Sequence, residues 1–270
     1  MDFRGASAES VAALSDELRT AVSSSPQTAA TVADSLFELS QTIRSEAALR
    51  RFATDASVPA EAKSGLATEV FGGKVDAVTL GLLTSAVTRK WTRALDLADA
   101  LEHLSEIAAV RSAGEESGRL ADELFTVSQA IQDNAGLRDA LSDPARTSAD
   151  KSALLDGLLA GKALPATVTL AKQALAGTYR TVSSALGEYQ KVAASVHGEG
   201  VATVRVAAPL AQADVDRLGA ALSRQYGRPV HVNLVVDPAV IGGIKVEIGD
   251  DVIDGTVASR LDEARRALAG

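Results

Sequence analysis

The sequence repeats itself at a fixed offset of 88 residues, and this repeat constrains the fold more than any other feature. The segment from Val32 to Lys74 aligns without a gap with the segment from Leu120 to Lys162, and 16 of the 43 aligned pairs are identical. The same offset pairs Trp91 with Tyr179 and Phe3 with Trp91. Alanine-rich helices match by chance at some positions, but not this often in one register. The repeat indicates an internal duplication.

Each copy has the pattern of short helices. In the first copy, apolar residues recur at spacings of three and four, which places them along one helix face. They are Val32, Leu36, Leu39 and Ile43. Pro59 favours the start of a following helix, and Gly72 with Gly73 favours its end. These short, closely connected helices predict a compact bundle for each copy.

A further helix is predicted at the end of the first copy, from about Lys90 to Arg111. Its apolar spacing predicts four inward side chains. They are Leu95, Leu101, Leu104 and Ala108.

The last quarter of the chain changes from helical to strand periodicity. In residues 201–210 and 230–236, valines recur at alternating positions, which predicts two strands. Ile244 to Ile248 continues this pattern as a third strand, and Val252 with Ile253 suggests a fourth. A helical segment with one apolar face and a terminal Gly227 separates the first two strands. This order predicts a right-handed βαβ unit with parallel strands.

An amphipathic helix is predicted at the C-terminus, with Val257, Leu261, Ala264 and Leu268 facing inward. The chain as a whole is therefore predicted to be mostly α. Two tandem helical bundles, at 1–105 and 106–195, precede a small α+β domain with a mixed sheet at 196–270.

Charge and composition limit the possible functions. The 270 residues carry a formal net charge of -8, and an acidic surface repels phosphate backbones, so we expect no nucleic-acid partner. The absence of cysteine excludes disulfides, thiolate metal sites and cysteine nucleophiles. The first ten residues lack the apolar core of a signal peptide. No stretch approaches the roughly 18 apolar residues of a spanning helix, so we expect a cytoplasmic protein without direct membrane insertion.

The segment DPAVIGGIKVEIGDDVIDGTV, at 237–257, concentrates glycine and aspartate. Twin glycines raise the hypothesis of a phosphate site, and clustered aspartates raise that of a metal site. Turns and helix caps explain the same residues more simply, because glycine adopts positive φ and aspartate accepts free backbone amides. The residues given this structural role are Asp237, Pro238, Gly242, Gly243, Gly249, Asp254 and Gly255.

No other motif predicts a catalytic, cofactor-binding or metal site. The segment 72–74 (Gly-Gly-Lys) lacks the spacing of a phosphate-binding loop, and neither a dinucleotide fingerprint nor a nucleophile elbow occurs. The aspartates at 250, 251 and 254 do not match a calcium loop. His103, His197 and His231 lie on different predicted elements, and His231 is out of phase with the valines of its strand, which predicts a surface position.

The run Thr88-Arg89-Lys90-Trp91-Thr92-Arg93 mixes basic and aromatic residues. A packed tryptophan at a helix start explains it better than nucleic-acid binding, because the repeat places Tyr179 at the equivalent position. The residues alone thus predict an acidic, non-catalytic helical protein that works through its surfaces. An acidic helical adaptor or scaffold protein is compatible with these features.

The C-terminal motif resembles the ending of the δ subunit of bacterial F-type ATP synthase, whose mitochondrial relative is the oligomycin sensitivity-conferring protein. The family pattern is roughly D-P-x-x-x-G-G, a strand, G-D, V-I-D-G-S and a helix with R-L. The corresponding residues run from Asp237 to Leu261, with Thr256 where serine is usual. Leu137 to Pro144 and Val201 to Leu210 resemble two further family segments, so the resemblance covers roughly residues 115–270.

Length is the main departure from this family, whose usual member has one helical domain before the C-terminal domain. The additional copy in front resembles the enlarged, duplicated form found in actinobacteria, where some relatives are also fused to a membrane-anchored b-type segment.

The resemblance implies a non-catalytic stator subunit without a cofactor, which couples proton-driven rotation to ATP synthesis. In the family, the helical domain binds N-terminal helices of α subunits at the catalytic head, and the C-terminal domain binds the b stalk. The implied partners are therefore the α subunits, with β subunits as further candidates, and a b-type stalk subunit. The implied location is the cytoplasmic face of the cell membrane, as a peripheral part of the complex. An adaptor unrelated to ATP synthase remains the alternative hypothesis.

Overall fold

The computed structural model describes residues 2–23, 25–196, 198–249 and 251–269. Within these ranges the helices are α1 Ala6–Ala21, α2 Pro26–Ser45, α3 Ala47–Thr54, α4 Ala60–Phe71, α5 Ala77–Thr88, α6 Asp96–Ser112, α7 Ser117–Asp133, α8 Ala135–Ser142, α9 Ser148–Leu159, α10 Pro165–Ala176, α11 Val182–Val196, α12 Gln212–Tyr226 and α13 Val257–Ala269. The strands are β1 Gly200–Val206, β2 Val230–Val236, β3 Ile244–Ile248 and β4 Asp251–Asp254. The predicted fold class, mostly α with a small mixed sheet at the C-terminus, is confirmed. The chain divides into two compact units, residues 1–192 and 193–270.

The duplication is visible in the helix boundaries of the first unit. Helices α3, α4 and α5 span 47–54, 60–71 and 77–88, and α8, α9 and α10 span these ranges shifted by 88 residues at both ends. The repeated sequence therefore encodes the same succession of helices twice.

The helix α6 belongs to both copies. In the first copy α6 is the sixth helix, the position that α11 has in the second copy. In the second copy α6 is the first helix, the position that α1 has in the first copy. It packs against α1 and α2 of the first copy and against α7 and α10 of the second. Accordingly both an apolar face with Leu101 and Leu104 and a polar face with Glu102 and Glu106 are buried. The predicted boundary between residues 105 and 106 lies inside this shared helix.

The predicted start of this helix and the inward position of Leu95 are wrong. Helix α6 begins at Asp96, and Leu95 is 47% exposed. The hydroxyl of Ser10 in α1 donates a hydrogen bond to the Lys90 carbonyl (2.9 Å), which holds the preceding segment in a non-helical path. The other predicted inward residues of this helix are fully buried: Leu101, Leu104 and Ala108.

Several predicted helix signals are confirmed. The four-residue stripe of α2 is buried along its length: Val32, Leu36, Leu39 and Ile43. Pro59 directly precedes α4. Gly72 follows the helix, and Gly73 has φ +76, a left-handed conformation that costs glycine little.

The four strands form one sheet in the order β2-β1-β3-β4. Strand β1 pairs in parallel with β2, with Gly200 opposite Val230, and antiparallel with β3, with Ala202 opposite Ile248. Strand β4 pairs antiparallel with β3 and lies at the edge. The predicted parallel pair connected by a helix and the mixed sheet are both confirmed.

The core of the C-terminal unit lies between the sheet and α12. Its buried members are Ala202, Val204, Val206, Leu222, Val246 and Ile248. Helix α12 places Leu222 in this core and ends at Gly227, which has φ +67 as a left-handed C-cap.

Two predictions for the C-terminal unit are wrong. Val257 and Leu261 in α13 are exposed, although their spacing predicts an inward face. The predicted positions of Ala264 and Leu268 lie outside the side chains that the structure describes. Spacing defines the apolar face of a helix but not what covers it.

His231 is half-buried rather than on the surface. It shares a face of β2 with Asn233, which is buried. The alternation predicts that this face is open to solvent, and the burial of Asn233 shows that it is not.

Candidate interaction surfaces

The Gly- and Asp-rich segment forms the turns that connect the last strands with α13. The Val240 amide donates to the Asp237 carbonyl (3.0 Å), and the Ala239 amide donates to the Asp237 carboxylate (2.9 Å), with Pro238 inside this turn. The Asp237 amide itself donates to the Val206 carbonyl (2.8 Å). These bonds fix the turn to the end of β1.

The two consecutive glycines lie against the start of α13. Gly243 has φ +86, and a Cβ there would lie 2.4 Å from the Gly255 carbonyl oxygen and 2.8 Å from the Thr256 Cα. The Gly242 carbonyl accepts a hydrogen bond from the Val257 amide (2.9 Å). Gly242, Gly243 and Gly255 thus meet at one close backbone approach, at which position 243 admits no side chain.

Gly249 directly follows β3, and Asp254 is the last residue of β4. Gly249 has φ +59 and leads from β3 into the turn before this strand. The Asp254 carboxylate accepts from the Thr256 hydroxyl (2.7 Å) and amide (3.0 Å), and these bonds lower the pKa of Asp254. The Thr256 hydroxyl oxygen in turn accepts from the Ser259 amide (3.2 Å) inside α13. Threonine therefore supplies the hydroxyl at the position where the family usually has serine.

The structure thus brings three of the predicted glycines together, while Asp237 with Pro238, Gly249 and Asp254 lie at separate turns. Each has a conformational or hydrogen-bonding role in its own turn. Across the described ranges, no group of three His, Asp or Glu side chains could hold a metal ion. The segment 72–74 follows α4, and its Gly72 is the C-cap of that helix.

Large apolar side chains are exposed mainly in the C-terminal unit. Ile241 is 78% exposed, Leu261 62% and Val252 59%. Further exposed members are Val236, Ile253 and Val257. The hydrogen bond from Val257 to Gly242 places Ile241 beside the first turn of α13. Exposed apolar surface of this kind is typical of protein–protein contacts.

The junction between the two helical copies is polar. Arg44 in α2 donates to the buried Glu102 carboxylate (2.6 Å), to Asp99 (2.8 Å) and to the Thr178 hydroxyl (2.9 Å). The Thr178 amide and hydroxyl both donate to Glu102 (2.8 and 2.6 Å). One buried carboxylate therefore binds groups from α2 and from the segment after α10. The sequence gives no signal for this network, because its members are far apart along the chain.

A second buried carboxylate, Glu106, lies one helical turn further along α6. It accepts a hydrogen bond from the Tyr179 hydroxyl (3.2 Å) and lies 3.0 Å from His103 Nδ1. Burial raises the pKa of Glu106, although the contacts with His103 and Tyr179 oppose this shift. Burial beside the carboxylates also raises the pKa of Tyr179 and of Tyr189, whose rings meet edge to face at 5.7 Å.

The basic and aromatic run at 88–93 connects α5 to α6. The Trp91 indole donates to the Ala86 carbonyl (3.0 Å), and Arg89 pairs with Glu17 in α1 (2.5 Å). Tryptophan thus packs at the end of the preceding helix, and not at a helix start. Of the histidines, His103 lies on α6 and His231 on β2, and His197 is outside the described residues.

No helix in the described part of the chain is long and apolar enough to cross a lipid bilayer. The exposed apolar side chains of the C-terminal unit are typical of one class of protein: a structural subunit that works through contacts with other chains.

Comparison with known proteins identifies the family within this class. The family described as ATP synthase delta (OSCP) subunit matches residues 106–268. The chain is 57% identical to an ATP synthase subunit delta of Nocardioides sp., over 99% of this chain and 98% of that one. It is 40% identical to an ATP synthase subunit delta of Streptomyces coelicolor, over 99% and 98% of the two chains. A chain in the cryo-EM structure of the Toxoplasma gondii mitochondrial ATP synthase hexamer superimposes with a TM-score of 0.34 at 20% identity, over 61% of this chain and 96% of that one.

The chain belongs to the ATP synthase delta (OSCP) subunit family. The predicted resemblance is confirmed, and so is its actinobacterial character. The family match begins at residue 106, whereas the relatives align over nearly their whole length, so they share the additional N-terminal copy. Members of this family are non-catalytic components of the synthase, and an adaptor unrelated to ATP synthase is no longer a supported alternative.

Proposed function

We propose that the chain is the stator subunit that joins the catalytic head of an F-type ATP synthase to its peripheral b stalk. In this role it holds the head against the torque of the rotor, so that proton-driven rotation is coupled to ATP synthesis. The chain catalyses no step, binds no cofactor, and is a peripheral part of the complex at the cytoplasmic face of the cell membrane.

The C-terminal unit supplies the stalk contact in this proposal. The supporting observation is the exposure of Ile241, Val252 and Leu261 on a unit that buries a separate apolar core between its sheet and α12. An amphipathic helix of a b-type subunit has the shape and the apolar face to cover such residues. The turn residues of the family motif act indirectly, by fixing the backbone that presents Ile241 beside α13. They are Asp237, Pro238, Gly242, Gly243, Gly249, Asp254 and Gly255.

The helical unit supplies the head contact, with α subunits as partners and β subunits as further candidates. A stator has to stay attached through many turnovers, which requires nanomolar affinity or better, about 12 kcal/mol of binding free energy. Two joined copies reach such affinity through effective concentration, if each binds a different part of the head. The additional copy is proposed to provide this second contact.

The test is a calorimetric titration of the intact chain with the catalytic head and, separately, with the soluble part of the stalk subunit. We expect tight binding to both, with about one chain per head. The double variant Ile241→Ser with Leu261→Ser should lose roughly tenfold or more in stalk affinity, since each exchange removes an apolar contact of about 1 kcal/mol or more. Its affinity for the head should not change.

The matched control is Leu158→Ser, which removes an exposed leucine from α9 in the helical unit. This variant should bind the stalk like the wild type. Unaltered stalk binding by the double variant would refute the proposed stalk surface. No binding of the head at micromolar concentration, even with the stalk present, would refute the stator role itself.

A further inference from the structure

An open recess of about 420 Å³ lies on the first helical copy, between α3 and the segment that precedes α6. Three arginines line it together with apolar residues. They are Arg50, Arg51 and Arg93, with Ala47, Ala94 and Leu95. We call this surface the arginine recess.

The arginine recess is cationic, although the chain as a whole carries a net charge of -8. Within the described residues, neither Arg50 nor Arg51 forms an ion pair, and both donate only to backbone carbonyls. Arg93 forms an ion pair with the buried carboxylate of Asp96 (2.8 Å). Asp99 also lines the recess, and its carboxylate is bound by Arg44 (2.8 Å). The positive charge of Arg50 and Arg51 is therefore available to an anionic partner.

The arginine recess also has an apolar part. Leu95 is 47% exposed there, and Ala47 and Ala94 beside it are exposed as well. A free phosphate or another small inorganic anion would engage the arginines and leave Leu95 uncovered. A peptide with an apolar side chain next to carboxylates matches both parts of the surface.

The residues that line the recess differ between the two copies. At the positions equivalent to Arg51, Arg93 and Leu95, the second copy has Asp139, Thr181 and Ser183. The structural arginine is retained: Arg50 donates to the Arg44 carbonyl (2.5 Å), and Arg138 donates to the equivalent Gln132 carbonyl (2.8 Å). The helix-capping role is thus common to both copies, whereas the exposed charge and the exposed leucine are not needed for the fold.

We propose that the arginine recess is a docking site for an acidic amphipathic segment of a partner protein. Carboxylates of that segment pair with Arg51 and with Arg50, and one apolar side chain covers Leu95. The inference concerns the first copy alone and does not depend on the stator proposal.

The test measures the fluorescence anisotropy of a short labelled peptide, with Glu and Leu at helical spacing, upon titration with the intact chain. Two substitutions are taken from the second copy. Arg51→Asp and Leu95→Ser each introduce into the first copy the residue that stands at the equivalent position of the second. Each variant should bind roughly fivefold to tenfold more weakly, because one reverses a contact charge and the other removes the apolar contact. Binding should also weaken as ionic strength rises from about 0.05 to 0.5 M.

Arg217→Asp is the matched control, because it changes the net charge equally on an arginine that is 80% exposed in the other unit. This variant should bind the peptide like the wild type, and thermal melting should show all variants folded. The proposal would be overturned if the peptide did not bind at millimolar concentration, if a Gln-for-Glu peptide bound equally well, or if Arg51→Asp and Leu95→Ser had no effect. Competition by inorganic phosphate, with no effect of Leu95→Ser, would replace it by a simple anion site.

Discussion

Arg44 and Glu102 are joined inside the helical unit by a hydrogen bond of 2.6 Å between Nη1 and Oε2, and the Glu102 side chain is fully buried. Arg44 belongs to α2 of the first copy, and Thr178, which donates to the same carboxylate, follows α10 of the second. In the second copy, Gln132 stands at the position equivalent to Arg44. This ion pair is therefore a property of the junction and not of the repeated fold.

Removing Arg44 should destabilise the helical unit strongly. In Arg44→Met, Glu102 keeps its hydrogen bonds from Thr178 but stays buried without a cation, which typically costs about 3 kcal/mol. Urea unfolding monitored by circular dichroism measures this loss. The double variant Arg44→Met with Glu102→Gln should recover much of it, because the fully buried charge of Glu102 is removed and only Asp99, which is partly exposed, lacks its arginine. A single variant within about 0.5 kcal/mol of the wild type would contradict this account.

Gly177 should not tolerate a methyl group. A Cβ at this position would lie 2.5 Å from Glu102 Oε1 and 3.2 Å from the Gln173 carbonyl oxygen, and Glu102 is held in place by Arg44 and Thr178. We expect Gly177→Ala to lower the free energy of unfolding by about 2 kcal/mol. Gly187→Ala, inside α11 with open space at its Cβ, is the control and should stabilise slightly. Equal effects of the two exchanges in urea unfolding would count against the close contact.

The pH dependence of stability should reveal the buried Glu106. Burial raises its pKa in the folded chain above the ordinary value of 4.5. The folded state then binds this proton more tightly, so the resulting stabilisation is fully present below about pH 4.5 and is lost as the pH rises through the folded pKa. Glu106→Gln carries no charge and should exceed the wild type in stability at pH 8 by roughly 1 kcal/mol.

The difference between Glu106→Gln and the wild type should decrease as the pH falls, because the wild-type carboxyl becomes protonated. Chemical unfolding at several pH values measures it. Glu69→Gln, an exposed exchange on α4, is the control. A difference that stayed constant from pH 4 to pH 8 would show that the charge of Glu106 is not the cause.

Gly243 is predicted to be essential for the C-terminal unit. Its φ of +86 is unfavourable for other residues, and a side chain would collide with the backbone at Gly255 and Thr256. Gly243→Val should therefore misfold this unit, with a loss of more than about 3 kcal/mol. Gly249→Ala is the control, because Gly249 also has positive φ but open space, and should lose only about 1 kcal/mol. Hydrogen exchange of the sheet amides separates the outcomes, and native protection in Gly243→Val would refute the prediction.

The repeat and the apolar periodicity predicted most of the fold. The offset placed the helices of the second copy correctly, and alternation located the strands. The turn residues were singled out in the sequence because glycine adopts positive φ and aspartate accepts free backbone amides. These are local properties of the chain, which a sequence records directly.

The shared role of α6 was not predictable in this way. Its apolar face, with Leu101 and Leu104, follows the helical period, but its second buried face consists of Glu102 and Glu106. A periodicity argument assigns carboxylates to solvent, and their partners Arg44 and Tyr179 are distant in sequence. Likewise, the spacing of Val257 and Leu261 shows an apolar face but not whether this chain or another one covers it.

Because α6 packs against helices of both copies, the rotation of one copy relative to the other about the axis of α6 is fixed. A helix turns by about 100° and rises by about 1.5 Å for each residue. One residue inserted in the middle of this 17-residue helix would rotate the second copy by that angle about the helix axis. Leu101 and Glu106 could then no longer meet their partners at the same time. The other helices end in loops that can absorb an inserted residue. Helix α6 is shared, so its length is set by the packing of both copies.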